Sequence, residues 1–211
     1  MNMKRLIIFC VIYLPMAANA QVSDFKRAYD ACVQINLGFD DGFAHNDALE
    51  DAAGILQSLQ INVLPLQKIA GDEISLNGHI VFTPDFILDC IEDQSIYSMA
   101  AEYAKKHKSY RGSTLYMNTI PIKAESTAIY KIHNCQGLLN IGCVAETKGL
   151  FSWKLKIEDM ETKITKVYKD NVDEIKGRIA RCEKIEGIYY SVTLEITNTT
   201  TADSSYAIII E

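Results

Sequence analysis

The sequence lacks the short motifs that mark several large enzyme classes. It has no Gly-x-Ser-x-Gly nucleophile elbow, no Gly-x4-Gly-Lys-Ser/Thr phosphate loop, no Gly-x-Gly-x-x-Gly fingerprint and no His-Glu-x-x-His zinc helix. These absences exclude the enzyme classes that depend on those motifs. An enzyme whose acids and bases converge only in space stays open, because such residues need not be close in sequence.

Positive charge is also scarce, since 21 Lys and Arg residues stand against 27 Asp and Glu, a formal net charge of −6. Binding to a phosphate backbone depends on clustered Lys and Arg, so we expect no nucleic-acid partner. A small basic cluster, Lys105, Lys106 and Lys108, lies at the end of a predicted helix. Cations there stabilise the negative end of the helix dipole, which is the role that we predict for them.

Apolar runs long enough to cross a bilayer are missing as well. The chain starts with Lys4 and Arg5, continues with an apolar stretch over Leu6–Met16, and then has Ala18-Asn19-Ala20, the three parts of a cleaved secretory signal. The apolar stretch is shorter than the about 20 residues of a membrane-spanning helix. We therefore expect residues 1–20 to be removed. The expected product is a periplasmic or extracellular protein that begins at Gln21 and does not span a membrane.

Cysteine is sparse, and its count is odd once Cys10 of the signal is set aside. The others are Cys32, Cys90, Cys135, Cys143 and Cys182. An odd count in an oxidising compartment leaves at least one thiol unpaired. A disulfide between Cys135 and Cys143 is the first pairing to consider, because Gly137 and Gly142 between them would let the chain double back. Spacing does not determine connectivity, so free thiols at both positions are the alternative.

An acidic run near the start could suggest a calcium site. It comprises Asp40, Asp41, Asp47, Glu50 and Asp51. The calcium loop needs Gly at its sixth position and Glu at its twelfth. Counted from Asp40, those positions hold His45 and Asp51, so the pattern fails. We predict that these acids form the solvated start of a helix, where they favour the positive end of its dipole.

Zinc is the second metal to weigh, because His133, Cys135 and Cys143 all carry suitable ligand atoms. Their spacing matches no paired Cys-x-x-Cys knuckle, and an oxidising compartment favours a disulfide over thiolate ligands. We predict no metal and no cofactor.

A cysteine nucleophile would need an activated, accessible thiolate beside a base. The candidate nucleophiles are Cys90 and Cys182, and the candidate bases are His45, His79, His107 and His133. Cys90 falls on the apolar stripe of a predicted helix, so core packing is its predicted role. We assign no catalytic residue.

The first half of the chain has helical periodicity. The predicted elements are helices over Val22–Asn36, Asn46–Gln60 and Thr83–Lys108, and a two-stranded ribbon over Ile74–Phe82. Ser23, Asn46 and Thr83 are the predicted N-caps, and Pro84 suits the first position of the third helix. The ribbon rests on Asn77-Gly78 between apolar runs, a strong hairpin signal.

From Ser113 onward the apolar period changes to two, which is typical of strands. The predicted strands are Thr114–Ile120, Thr127–His133, Leu138–Ala145, Phe151–Asp159, Ile164–Lys169, Ile188–Thr197 and Tyr206–Ile210, while Val172–Ile185 fits a helix or a strand equally well. We therefore predict an α+β protein. Residues 21–112 form a helical segment of about three helices and a small ribbon, and residues 113–211 form an antiparallel β-sandwich or jelly roll of about eight strands.

Four segments of the second half carry a family resemblance. They are Val144-Ala-Glu146 through Gly149, the strand around Trp153, Val167-Tyr-Lys-Asp170 and the closing strand Ser191–Asn198. In strand rhythm they resemble secreted bacterial β-sandwich modules of the pre-peptidase C-terminal type. The resemblance covers at most residues 113–211. Such modules are accessory domains without catalytic residues, so it implies a sandwich and a non-catalytic role.

Two functions from different classes follow. The first is an exported, non-catalytic binding or interaction protein of a bacterial envelope, with a protein or carbohydrate partner. The second is a small exported hydrolase whose site is assembled between the helical and β halves. A deep pocket with converging carboxylates or a Cys–His contact would favour the hydrolase. A flat exposed apolar or aromatic patch would favour the binding protein. The ligand and the oligomeric state are left open.

Overall fold

The computed structural model describes residues 22–39, 46–63, 66–91, 114–146, 151–169 and 179–211. Its helices are α1 (Asp24–Gly38), α2 (Asn46–Ser58) and α3 (Pro84–Asp89). Its strands are β1 (Ile61–Asn62), β2 (Gln67–Ala70), β3 (Leu115–Ile122), β4 (Thr127–Ala145), β5 (Phe151–Asp159), β6 (Thr165–Lys169), β7 (Ala180–Asn198) and β8 (Ser204–Ile210). The broad α+β prediction is confirmed. The predicted signal segment lies outside the described residues.

The helix starts follow the predicted capping chemistry. The Ser23 side chain accepts a hydrogen bond from the Lys26 amide at 3.2 Å, and Thr83 accepts one from the Phe86 amide at 3.4 Å. Both caps satisfy amides that the first turn of a helix leaves without a partner. The third helix ends at Asp89, so the predicted continuation through Cys90 and Ile91 is wrong. Residues 92–108 of that prediction lie outside the described residues. None of the helices in the described ranges is long and apolar enough to cross a membrane.

The ribbon predicted around Gly78 is wrong, although the turn itself forms, with Gly78 at a φ of 80°. The His79 amide closes the turn on the Leu76 carbonyl at 3.0 Å, but no ladder of backbone pairs follows it in the described segment. Instead the Ile80 amide donates to a Glu146 carboxylate oxygen at 3.1 Å, and the Phe82 amide donates to the Thr119 hydroxyl at 3.1 Å. Side chains of the main sheet therefore satisfy the donors that a ribbon ladder would have used.

The strands form one mixed sheet in the order β1-β3-β8-β4-β7-β5-β6, with β2 also paired to β4. The β1–β3 pairing is parallel and the other described pairings are antiparallel. Both β4 and β7 are 19 residues long. The first part of β4 pairs with β2 and its last part with β8, whereas only the later part of β7 pairs with β5. Each of the two long strands therefore has different neighbours along its first and last parts.

Over the described ranges after residue 113 there are fewer strands than predicted, because short predicted strands fuse. The predicted strands Thr127–His133 and Leu138–Ala145 are both parts of β4, whose register with β7 shifts between Ile132 and Gly137. Asn134 and Gly137 there have φ values of 58° and 71°. Such irregularities insert residues and bend a strand without ending it. The described part of the ambiguous Val172–Ile185 segment, from Ala180 onward, is strand.

The bends fold the sheet on itself into two layers. Two strands separate β3 from β7 in the sheet order, yet the Asn198 side-chain amide of β7 donates to the Ile122 carbonyl of β3 at 3.1 Å. Between the layers lies one cluster of buried side chains from β3, β4, β5, β7 and β8, including Ile141, Leu155 and Leu194. The predicted apolar faces of β5 and β7 therefore form the interior of the double layer.

A second core lies between the helices and the outer face of one layer. It joins Ala28 and Cys32 of α1 to Val144 of β4 and Ala207 of β8. At Gly142 an added Cβ would come 2.8 Å from a ring carbon of a helix residue, Tyr29. The absence of a side chain at this one position lets α1 lie close to β4.

Candidate functional site

The candidate site is a pocket of about 270 Å³ where β7 bends beside the β5–β6 hairpin. Ile157 of β5, Ile164 just before β6, and Tyr190 of β7 form its apolar walls. Residues of one layer and of the bend contribute to it together. The pocket therefore forms where the sheet bends, and it does not correspond to any single sequence motif.

Gly187 and Tyr190 make the inner end of the pocket. The Tyr190 ring is only 2% exposed, and its hydroxyl donates a hydrogen bond to the Gly137 carbonyl at 3.2 Å. Burial raises the pKa of Tyr190 to about 12. A Cβ at Gly187 would lie 2.7 Å from Cδ1 of that ring. Glycine is therefore what allows the tyrosine ring to occupy this position. The strand predicted from the sequence begins at Ile188, so it includes Tyr190 but not Gly187.

A tight turn after β5 forms the polar wall. One Asp159 carboxylate oxygen accepts hydrogen bonds from the Glu161 and Thr162 amides at 3.0 and 2.7 Å. The Thr162 amide contributes most, and with Lys163 nearby it holds the pKa of Asp159 below its usual value. Asp159 thus shapes the turn with an ionised, hydrogen-bonded carboxylate. The pocket's charged side chains outside this turn are Lys166 and Glu186, both exposed.

A second polar cluster surrounds Glu146 at the end of β4. The carboxylate accepts hydrogen bonds from the Ile80 amide at 3.1 Å and from the Ser205 amide at 2.9 Å. Its other oxygen lies 3.0 Å from Nδ1 of His79. The cluster joins the segment after Gly78 to β8. Sequence reasoning missed it because His79 and Glu146 are 67 positions apart and fit no local pattern.

No disulfide joins any two of the five described cysteines. Cys135 and Cys143 lie in the same strand, opposite Tyr190 and Arg181 of β7 respectively. Gly137 to Cys143 is continuously paired strand and spans about 20 Å at about 3.3 Å a residue. Cys135 lies only two residues beyond Gly137, whereas disulfides join Cα atoms at about 4.4–6.8 Å. The expectation that the chain doubles back between them is therefore wrong, because the glycines in that stretch lie within a continuous strand.

The proposed zinc ligands are not brought together. His133 is exposed, with Nε2 2.7 Å from the Gln67 side-chain oxygen, while Cys135 and Cys143 are buried. The register of β4 with β7 shifts after Ile132, and this shift separates His133 from the buried thiol of Cys135. Within the described ranges no group of three His, Cys, Asp or Glu residues is placed to hold a metal ion. Asp40 and Asp41 of the acidic run lie outside those ranges, and Asp47, Glu50 and Asp51 lie in α2.

Cys90, the first candidate nucleophile, does not have the environment of an activated thiolate. Burial and the neighbouring Asp89 carboxylate raise the pKa of Cys90, which is the opposite of what nucleophilic catalysis requires. Burial likewise raises the pKa of Cys143 far above its usual value, with a partial opposing effect of Arg181. Cys182 is half-buried. Of the candidate bases, His45 and His107 lie outside the described residues.

Comparison with known proteins gives no family for this chain. No family model matches it, and no curated protein does. Among solved structures, TmCBM61 in complex with β-1,4-galactotriose is similar at a TM-score of 0.30 and 9% identity, over 49% of this chain and 73% of that one. A family GH115 4-O-methyl-α-glucuronidase, BtGH115A, with specificity for decorated arabinogalactans, is similar at a TM-score of 0.30 and 8% identity, over 81% of this chain and 29% of that one. Likeness at this level carries no functional argument.

Proposed function

We propose that this protein is an exported, non-catalytic binding protein whose ligand occupies the pocket at the bend of β7. The observation that carries the proposal is the composition of the pocket walls. Apolar side chains lie beside two oppositely charged groups, Lys166 and Glu186. Binding sites combine a mostly apolar surface with a few polar groups that orient the ligand. The turn at Asp159 and the ring of Tyr190 give this pocket a preformed frame.

Binding is favoured over hydrolysis by the state of the pocket carboxylate. A general acid needs a carboxyl group whose pKa is raised towards the working pH. The pKa of Asp159 is shifted the other way, and its carboxylate accepts two backbone hydrogen bonds. A group in that environment stays ionised and keeps its position. It orients the turn and is poorly suited to protonate a leaving group.

The hydrolase alternative has one observation in its favour, the contact between Glu146 and His79. It joins a carboxylate and an imidazole from the two parts of the chain, as that alternative requires. Glu146, however, is only 9% exposed in its side chain, and one of its oxygens already accepts two backbone amides. A turnover activity that is lost in His79→Gln, with unchanged circular dichroism, would establish the hydrolase and defeat the binding protein.

Export remains part of the proposal, supported by the tripartite pattern of residues 1–20. The β half would then be an accessory sandwich module of the pre-peptidase C-terminal type, supported by the two-layered sheet. Intact mass of the protein recovered from the envelope fraction tests the first point. We expect a chain that begins at Gln21. A chain that retains residues 1–20 would contradict export by this route.

The pocket is tested by titration of the purified protein with small compounds, followed by two-dimensional NMR. The compounds are monosaccharides, short oligosaccharides, amino acids, and small carboxylates and amines. We expect one class to shift the amide signals of Ile157, Lys166 and Glu186. Ile164→Trp should block these shifts by filling the pocket. Val167→Trp is the matched control. Val167 is an exposed aliphatic residue of β6, and it pairs with Lys156 of β5 on the face of the hairpin opposite to the pocket.

Two results would contradict the pocket as the binding site. One is that no compound in the panel shifts the pocket signals. The other is that Ile164→Trp and Val167→Trp reduce binding equally, which would place the ligand on the open face of the sheet or show a general loss of structure.

A further inference from the structure

The chemistry of the pocket walls narrows the class of ligand, on the basis that the proposed function is right. We infer that the pocket binds one neutral, polyhydroxylated ring, the chemical class of a single sugar unit. Three properties of the pocket carry this inference, namely its size, the pairing of its charges and the nature of its apolar surface.

The size favours one ring. Pockets for drug-sized ligands run from about 300 to 1,000 Å³, and this pocket measures about 270 Å³. It is too small to enclose an extended ligand. One ring can enter, while the rest of a longer chain would lie outside, along the rim near Ile164, which is 62% exposed.

The charges favour a ligand that is neutral and both donates and accepts hydrogen bonds. Lys166 only donates, and the ionised carboxylate of Glu186 only accepts. A hydroxyl group does both, so neighbouring hydroxyls on one ring can bond to each side chain. A compact anion would be repelled by both Glu186 and Asp159, and Lys166 would oppose the attraction of a compact cation to those carboxylates. All three residues line the same pocket.

The apolar surface favours a ring with exposed C–H groups. The Tyr190 hydroxyl is bonded to the Gly137 carbonyl, so the small part of this 2% exposed side chain that reaches the pocket is ring carbon. Ile157 and Ile164 extend this surface. A sugar ring has an apolar C–H face and a rim of hydroxyls, which matches apolar walls with charged side chains at their edge.

The test is isothermal titration with ring compounds that differ mainly in charge. The neutral probes are glucose, galactose and their methyl glycosides, the anionic probe is galacturonate, and the cationic probe is glucosamine. Serine serves as a zwitterion without a ring. We expect the neutral sugars to bind and galacturonate to bind at least about fivefold more weakly, because Glu186 and Asp159 both repel it. Glucosamine should bind no more tightly than the neutral sugars, because Lys166 opposes its attraction to the two carboxylates.

Variants locate the binding. Lys166→Met and Glu186→Gln should each weaken neutral-sugar binding about tenfold, the usual effect of losing one hydrogen bond to a charged group. Lys156→Met and Glu158→Gln are the matched controls. Both lie on β5, paired with Val167 and Thr165 of β6, outside the pocket lining. They should leave the affinity within about twofold of that of the unchanged protein.

The outcomes separate this inference from the proposed function. If serine or a charged ring binds more tightly than every neutral sugar, and Ile164→Trp blocks it, the sugar inference is overturned while the binding function stands. If no probe binds, the sugar inference is overturned, and the binding function is overturned only if the wider NMR panel also shifts no pocket signal. If neutral sugars bind but the control variants lose affinity and the pocket variants do not, the site lies on the open sheet face and the pocket inference fails.

Discussion

The rings of Phe151 and Tyr206 meet edge to face, with centroids 5.3 Å apart and planes at 69°. Phe151 begins β5 and Tyr206 lies in β8, and two strands separate β5 from β8 in the sheet order. In a flat sheet that separation would be about 14 Å, three spacings of about 4.8 Å. The contact is therefore a direct consequence of the bends in β4 and β7. Arg181 strengthens the same junction, because its guanidinium lies 5.0 Å from the Phe151 ring centroid and donates to the Phe151 carbonyl at 3.1 Å.

Truncation of Phe151 should open this junction. We expect Phe151→Ala to lower the free energy of unfolding by about 3–5 kcal/mol, since it leaves a cavity between the layers and removes an aromatic pair. Urea denaturation followed by circular dichroism measures the change. Ser152→Ala, one position along the same strand and on its other face, should change stability by no more than about 0.5 kcal/mol. Equal losses at the two positions would show that Phe151 is not a contact between layers.

Asn198 holds the layers together by hydrogen bonds. Its side-chain nitrogen donates to the Ile122 and Ala202 carbonyls at 3.1 and 2.8 Å, and its oxygen accepts from the Thr200 amide at 3.0 Å. Asn198→Ala should lower the unfolding free energy by about 2–4 kcal/mol, because buried polar groups lose their partners. Thermal unfolding monitored by circular dichroism measures this.

A second variant tests the hydrogen bonds of the Asn198 side-chain oxygen separately from those of its nitrogen. Asn198→Asp keeps an acceptor for the Thr200 amide and loses both donors. Hydrogen exchange should therefore speed up at Thr200 in Asn198→Ala and remain slow in Asn198→Asp, while both variants lose stability. Fast exchange at Thr200 in both variants would contradict the assignment of the side-chain oxygen and nitrogen.

The register of β7 is tested by two adjacent residues. Leu194 is fully buried, whereas the half-exposed Glu195 forms an ion pair with Lys154 at 3.1 Å. Leu194→Ala should lower the free energy of unfolding by about 2–5 kcal/mol. Glu195→Ala should lower it by no more than about 0.5 kcal/mol, because a half-exposed pair is screened by solvent. Chemical denaturation of both variants measures the difference, and effects of the same size would place the register one residue out.

Periodicity predicted the parts of the fold that depend on one strand or one helix at a time. The alternation of Leu194 and Glu195, the apolar face of β5 and the cap at Ser23 are all as expected, because each follows from neighbours in sequence. Ile188 is the exception within β7. It shares the apolar face by position, yet it is 82% exposed, because β7 bends there and no opposite layer covers it.

The candidate site could not be predicted in the same way, because it depends on the bend. Residues of β5, the following turn and β6 are neighbours in one hairpin, and β5 pairs with β7 at Asp159 and Tyr190. Glu186 and Gly187 join them through the bend in β7. The cue that was present is Gly187 three positions before Tyr190, since glycine in a strand often marks a close approach of other atoms. The contact of Glu146 with His79 has no cue of this kind. The contact forms because the backbone amides of the segment after Gly78 donate their hydrogen bonds to side chains of the sheet.

Thiol accessibility tests the corrected account of the cysteines. Cys90 and Cys182 are partly exposed, whereas Cys32, Cys135 and Cys143 are buried. Brief alkylation of the folded protein without reduction should label the first two, and labelling of the other three should require urea. Peptide mapping by mass spectrometry measures both steps. A Cys135–Cys143 peptide still linked after unfolding in the absence of a reductant would contradict the strand assignment of β4.

The turn at Asp159 should make stability depend on pH in one direction. Its pKa is lowered in the folded protein, chiefly by the Thr162 amide and hydroxyl, so the ionised form is favoured by folding. The resulting stabilisation is present above the ordinary carboxyl pKa of about 3.9 and is lost as the pH falls through the lower folded-state value. Asp159→Asn should therefore melt below the unchanged protein at pH 7. The difference in melting temperature should shrink from about pH 4 downward and be small near pH 2.

Thr162→Val, which removes the hydroxyl, should raise the pKa of Asp159 in an NMR titration of its carboxyl carbon. A melting difference that stays constant to pH 2 would mean that the charge of Asp159 contributes nothing to the turn.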